Sequence, residues 1–270
     1  MRADRAVIAG PVTAAHAAPL RLHRHGIALV VLFWWVATGL IIAMQRSAPT
    51  RLAGLVIATA LGALGMHEMR RSRDDDSPAG VRRAFLGGAL LWGWVSVTFY
   101  GGFLTGLAPS GPVAAAPAWA AVLPAIAATL ASDAAALILM VAAAMLTRGA
   151  VNHTGLWSLV LFWAVQQVAK LNVFLGVENP AANFLPPHLA YLHAFFGPAR
   201  NSAFLWPSVA ALAAAMAWAA WTSRRASHAG RRQAAILYAT ILALAVLEVW
   251  LLGVPLASTP WDSFLKARGT

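Results

Sequence analysis

Seven apolar runs, each near the roughly 20 residues that an α-helix needs to cross a bilayer, dominate this 270-residue sequence. They cover residues 26–45, 52–69, 84–107, 119–146, 156–175, 204–222 and 234–254. A lipid core offers no water to free N–H and C=O groups, so runs of this length fold as helices. The expected fold is an all-α polytopic membrane protein of about seven transmembrane helices. Composition agrees, with 60% of residues hydrophobic and 11% charged, against about 25% charged in a soluble domain. There is no cysteine, which removes disulfides, thiolate metal sites and cysteine nucleophiles. No internal repeat is evident, which weakens an inverted-repeat transporter architecture.

The net charge of +11 comes from arginines clustered between the apolar runs. That placement reads as a topology signal and as contact with anionic lipid, so membrane lipid is the expected partner and nucleic acid is not. Alternate connections carry 14 and 5 basic residues, with Lys170 inside a span. The excess side faces the cytoplasm, which places the N-terminus inside and the C-terminus outside. The organisation expected is a basic cytoplasmic arm over 1–25, a helix bundle over 26–254 with a periplasmic loop at 176–203, and a periplasmic tail over 255–270. The first run is too long for a secretory signal and no small-residue cleavage site follows it, so it is expected to be an uncleaved anchor. Pro124 should kink the fourth span, the longest of the seven.

Asp133, Lys170 and Glu248 lie inside spans. At 1.5 Å per residue all three sit about 20 Å from the cytoplasmic end of their helices, toward the outer side of the midplane. A charge at that depth costs several kcal/mol unless it is paired or reaches water. Gln166, Gln167 and Asn172 extend the polar stripe around Lys170. One reading is a Lys170–Glu248 ion pair, with Asp133 nearby, that fixes helix neighbours and register. Another is a proton or ion path, or a pocket for a headgroup or pigment tail. A third is a lysine that snorkels to the outer interface. A Schiff-base lysine of the seven-helix retinal type is disfavoured, because there the lysine belongs to the last helix and here it is on the fifth.

None of the eight histidines lies mid-span, so a histidine-ligated pigment in the bundle core is not expected, and His67, His188 and His193 are left as interfacial candidates. No catalytic triad order, P-loop, HExxH or GxGxxG pattern stands out, and no metal site or enzymatic role is expected. The loop at 176–203 is unusually apolar, with Asn183 to Pro187 turning into a short helix from about His188 to Phe196. Phe184, Leu185, Leu189, Leu192, Phe195 and Phe196 form its apolar face. Such a segment either folds over the bundle above Lys170 or presents a hydrophobic docking surface.

The stretch "AKLNVFLGVENPAANFLPPHLAYLHAFF" resembles the signature of the PuhE-type photosynthetic complex assembly proteins of phototrophic bacteria. Members read close to S-A-K-L-N-x-F-L-G-V-x-N, then F-L-P-x-H-L-x-Y-L. Ala169, Lys170, Leu171, Asn172, Phe174, Leu175, Gly176, Val177 and Asn179 match the first half. Phe184, Leu185, Pro186, His188, Leu189, Tyr191 and Leu192 match the second. "FWWVATGLII", "WGW", "NHTGLW" and "AVLEVW" look like further landmarks in the same order. The chain departs from the pattern at Ser132 and Asp133, at Gln166 and Gln167, and at Val249 after the last-span glutamate.

The resemblance implies a non-catalytic inner-membrane factor that assists assembly of bacteriochlorophyll-containing complexes. Reaction-centre or antenna subunits would be its partners, with no resident cofactor and transient pigment contact at most. The candidate docking residues are then Gly176, Asn179, Phe184, Leu185, Pro186, His188, Leu189, Tyr191, Leu192 and Phe195. A small transporter or channel for a pigment precursor, proton or ion is the alternative.

Overall fold

The computed structural model describes residues 17–105 and 118–255, with Ser263, Leu265, Lys266 and Gly269 of the tail. The first 16 residues of the expected basic arm and most of the expected tail lie outside them. Eight α-helices are described: α1 Ala17–Met44, α2 Ala48–Arg71, α3 Pro78–Tyr100, α4 Ala118–Ala127, α5 Leu130–Leu146, α6 Thr154–Leu175, α7 Leu205–Arg225 and α8 Ala229–Leu252. Helix α1 starts well before residue 26, so part of the expected arm continues the first helix. Between α6 and α7 lie a short 3-10 turn at Ala182–Phe184 and a 3-10 helix at Pro187–Phe195, close to the helix expected there.

The chain is thus an all-α, multi-pass membrane protein, but the expected seven spans become five helices long and apolar enough to cross: α1, α2, α6, α7 and α8. Helix α3 has 23 residues, yet its glycines, tryptophans and hydroxyl residues dilute its apolar character. The fourth run is split into α4 and the 17-residue α5. The split falls a turn beyond Pro124, at Ala128 and Thr129. Ala128 N–H still reaches the Pro124 carbonyl at 2.9 Å, but Thr129 N–H bonds Ile126 O at 3.0 Å. The Thr129 hydroxyl donates to that same carbonyl at 3.2 Å. A threonine that competes for the local carbonyl tightens the turn and ends the helix there.

Helix α3 packs against α1, α2, α5, α6 and α8 and so forms the centre of the bundle. Glycine makes that possible. A Cβ on Gly65 of α2 would come within 2.7 Å of the Gly87 carbonyl of α3, and one on Gly88 would collide with the Gly155 carbonyl of α6. Small residues let membrane helices approach backbone to backbone, where lipid supplies no hydrophobic drive of its own. Around these contacts Phe162 of α6 is surrounded by Phe33, Trp34, Phe85 and Trp92, with the Trp92 ring stacked at 6.4 Å.

The α2–α3 turn and the α5–α6 connection interlock. Asn152 donates to the carbonyls of Ser72 and Asp75 at 3.1 and 2.9 Å, and Arg73 donates to those of Leu146 and Arg148. Within the turn, the Asp75 carboxylate accepts from Ser77 N–H at 3.0 Å, while the Ser77 hydroxyl caps α3.

Two outcomes follow from this packing. Gly88→Val should destabilise the protein by about 1–3 kcal/mol through overpacking, read as a lower midpoint of thermal unfolding in detergent. Gly93→Ala, where an added Cβ meets nothing within 4 Å, should not lower it. Hydrogen bonds from the Ser77 side chain and backbone hold the Asp75 carboxyl below its usual value. The ordering they give is therefore fully present above the unfolded value of about 3.9 and lost as pH falls through the lower folded value. The protection factors of the Ser77, Ala79 and Gly80 amides, that is the slowing of their exchange relative to an unstructured chain at the same pH, should be high at neutral pH, fall in acid, and be low at neutral pH in Ser77→Ala.

Candidate functional site: the buried ion pair and the loop that covers it

The interruption between α4 and α5 places Thr129 and Asp133 one turn apart, facing α6. Lys170 Nζ lies 2.6 Å from Asp133 Oδ2 and donates to Thr129 Oγ1 at 3.1 Å. Gln167 Nε2 donates to the other carboxylate oxygen at 2.8 Å, and the Thr129 hydroxyl is 3.3 Å from Asp133 Oδ2. The Lys170 and Asp133 side chains are only 12% and 16% exposed. Charge and hydrogen bonds together offset much of the cost of holding the pair in a low-dielectric setting. Asp133 also sits in the first turn of α5, where the helix dipole favours a negative charge.

This arrangement corrects the expected Lys170–Glu248 pair. Sequence depth set the three charges at one level, but which helices are neighbours is decided by packing, and α5 rather than α8 brings its carboxylate to Lys170. Among the described residues Glu248 has no hydrogen bond or ion pair, and it lies within electrostatic range of Tyr100 on α3. Asn172 also leaves the expected hub. Two residues along a helix turn it to the opposite side from Lys170, where it is fully buried and donates to Ser208 Oγ of α7 at 2.9 Å. Gln166 stays, lining a cleft of about 40 Å³ with Lys170, Asp133, Thr129, Ser132, Ser96, Trp92, Val95, Phe99 and Tyr100. Small-molecule pockets commonly measure about 300–1,000 Å³, so a headgroup or pigment tail does not fit this cleft as it stands. No group of three or more His, Asp or Glu residues converges among the described residues.

The loop at 176–203 folds back onto the bundle. Gly176 ends α6 with φ of 116°, a conformation open to glycine, and its carbonyl accepts from Ser202 N–H at 2.9 Å. Gly197 N–H returns to the Val173 carbonyl at 2.9 Å. Asn179 and Asn201 then cap α8. Asn179 donates to the carbonyls of Leu252 and Leu251 through its N–H and its amide, and Asn201 donates to that of Gly253 at 2.9 Å. These are carbonyls that a helix end leaves without internal partners.

The loop's apolar residues are mostly interior ones. Leu189, Leu192 and Phe195 are 0%, 4% and 2% exposed and pack with Ala125 of α4, Ala128 at the break and Phe174 of α6. Leu185 and Tyr191 pack against the same cluster, and Pro186 is buried. The expected docking face is therefore turned inward, because these side chains cover the α4–α5 break and the helix ends beside it. Phe184 remains half-buried. His188 Nε2 meets the Tyr100 carbonyl at 2.8 Å, His193 Nε2 lies 3.3 Å from the Ala182 carbonyl, and His67 is exposed.

Sequence reasoning missed Thr129, Asn201 and Ser208. Thr129 carried a usable signal, since it stands four residues before Asp133 and so shares its helix face. Asn201 and Ser208 carried none, because their partners are distant in sequence.

Residues 23–269 match the family model described as "Protein of unknown function (DUF3623)". The chain belongs to this family. It is also 31% identical over 238 residues, 85% of this chain and 86% of the other, to an "Uncharacterized 30.4 kDa protein in puhA 5'region" of Rhodobacter capsulatus. No solved structure matches it.

A double-mutant cycle tests the pairing. Lys170→Met or Asp133→Leu alone should cost about 3–5 kcal/mol, since each leaves one buried charge unpaired. The double variant should recover most of that loss. Lys170→Met with Glu248→Gln should instead show no coupling in unfolding midpoints, and coupling there would restore the Lys170–Glu248 pair.

Proposed function

We propose that this DUF3623 protein is a non-catalytic inner-membrane factor that assists assembly of bacteriochlorophyll-containing photosynthetic complexes, reaction centre or antenna. The observation that carries this reading is the relative from the puhA 5' region, aligned over 85% of the chain, joined to the motif from Ala169 to Leu192. The family match over residues 23–269 extends that relationship across the whole bundle. It acts in the cytoplasmic or intracytoplasmic photosynthetic membrane, with the basic end in the cytoplasm and the loop at 176–203 outside. Its chemistry is contact rather than turnover: helix faces meet a photosynthetic subunit, or pigment in transit, while Lys170, Asp133 and the loop hold the bundle in shape. Pigment contact is transient and no resident cofactor is required.

A small transporter or channel for a pigment precursor, proton or ion is the second reading. It is favoured by Glu248, a carboxyl group within α8 that the described residues leave without a hydrogen bond or ion pair.

Gentle-detergent purification of the tagged protein from phototrophically induced membranes tests the proposal. Reaction-centre or antenna polypeptides with near-infrared pigment bands should accompany it, and should still do so in Glu248→Gln. A colourless protein with no photosynthetic subunit would overturn the assembly reading, and loss of proton or solute flux in Glu248→Gln would then favour transport.

A further inference from the structure

The cleft between α3, α5 and α6 is small, polar on one side and lined by groups whose hydrogen bonding is incomplete. Lys170 carries three N–H donors and uses two, toward Asp133 and Thr129. The Gln166 amide makes no hydrogen bond to any described residue, yet it lines the cleft. Ser96 and Ser132 spend their hydroxyl protons on the carbonyls of Trp92 and Thr129 and keep oxygen lone pairs. The opposing wall is aromatic, with Trp92, Phe99 and Tyr100.

Donors and acceptors of this kind are not left bare in a bilayer interior, where each unsatisfied group costs several kcal/mol. We propose that the cleft is a binding site for ordered water, holding two or three molecules against Lys170, Gln166, Ser96 and Ser132. Size and chemistry agree on this occupant. About 40 Å³ of accessible space exceeds the roughly 10–15 Å³ that one water requires. Water alone among candidates of that size both accepts from Lys170 and Gln166 and donates to the serine oxygens. An apolar occupant would leave the third Lys170 donor, the Gln166 amide and the serine lone pairs without partners, and a metal cation would be repelled by the ammonium already paired with Asp133.

The consequence concerns the ion pair. Lys170 and Asp133 form a locally hydrated pair, so the lysine keeps its charge within the bundle without a second carboxylate. That is why Glu248 is not needed as its partner. The water site also explains how a helix interruption persists at this depth, since water supplements the local hydrogen bonding around Thr129. This inference is independent of the photosynthetic reading and stands or falls without it.

Radiolytic hydroxyl-radical labelling reads the site directly. The full-length protein in phosphatidylcholine nanodiscs is irradiated and the oxidised residues are located by mass spectrometry. Trp92 is the reporter, because it lies about 12 Å along α3 from its outer end at Tyr100, and Trp218, 68% exposed on the outward face of α7, is the lipid-facing control. Water in the cleft predicts oxidation of Trp92 but not of Trp218, and its loss in Ser96→Leu, which fills the cleft. An unmodified Trp92 in the wild-type protein, while exposed His193 and His67 are oxidised, overturns the proposal whether or not the variant folds. So does labelling of Trp92 that a folded Ser96→Leu leaves unchanged.

Discussion

An ammonium group buried in a bilayer must bring its counter-charge with it, and the Lys170–Asp133 contact at 2.6 Å meets that demand. Much of the upper bundle is arranged around it. Helix α6 presents Lys170 and Gln167 on one face, α5 begins where Asp133 can reach them, and Thr129, at the break before α5, adds a hydroxyl. The loop after α6 covers the break with Leu189, Leu192 and Phe195, which pack against Ala125 and Ala128. Ion pair, helix interruption and apolar cover therefore form one construction rather than three separate features.

The other constraint is the close approach of α3 to its neighbours. Apolar side chains gain little by leaving lipid for protein, so helix association here rests on contact at short range. Gly65, Gly87, Gly88 and Gly155 allow it, and the aromatic ring cluster around Phe162 fills the space beside them. Bringing α6 against α3 also encloses the cleft, since Trp92, Ser96, Phe99 and Tyr100 of α3 form its wall opposite Lys170. Glycine packing thus sets the size of the polar site as well as the shape of the bundle.

Most of this was legible as a list of segments and less so as a set of neighbours. Apolar run length located the long helices, because the bilayer sets that length, and took α4 and α5 as one. It gave seven spans where five described helices are long and apolar enough to cross, since α3 is diluted by polar and glycine residues and α4–α5 is interrupted at Thr129. Depth placed Asp133, Lys170 and Glu248 at a common level, yet depth holds no information on azimuth or on which helices touch. Helical geometry did carry part of it. Gln167 stands three residues before Lys170 and shares its face, whereas Asn172 stands two after and does not, and the structure separates them accordingly.

The loop shows the same limit from another direction. Its leucines and phenylalanines have the composition of a docking surface, but composition does not distinguish side chains buried against another protein from side chains buried against their own helices. Here Asn179 and Asn201 anchor the segment to α8 while Gly176 and Gly197 turn it back over α6, and the apolar face has only one way to point. If the protein assists the assembly of other membrane subunits, the contact therefore falls to the outward helix faces, such as those bearing Trp206 and Trp218 on α7 or Leu32 and Leu40 on α1. A partner helix would compete there with lipid alone, and contact of that kind is readily made and readily released, as a transient assembly role requires.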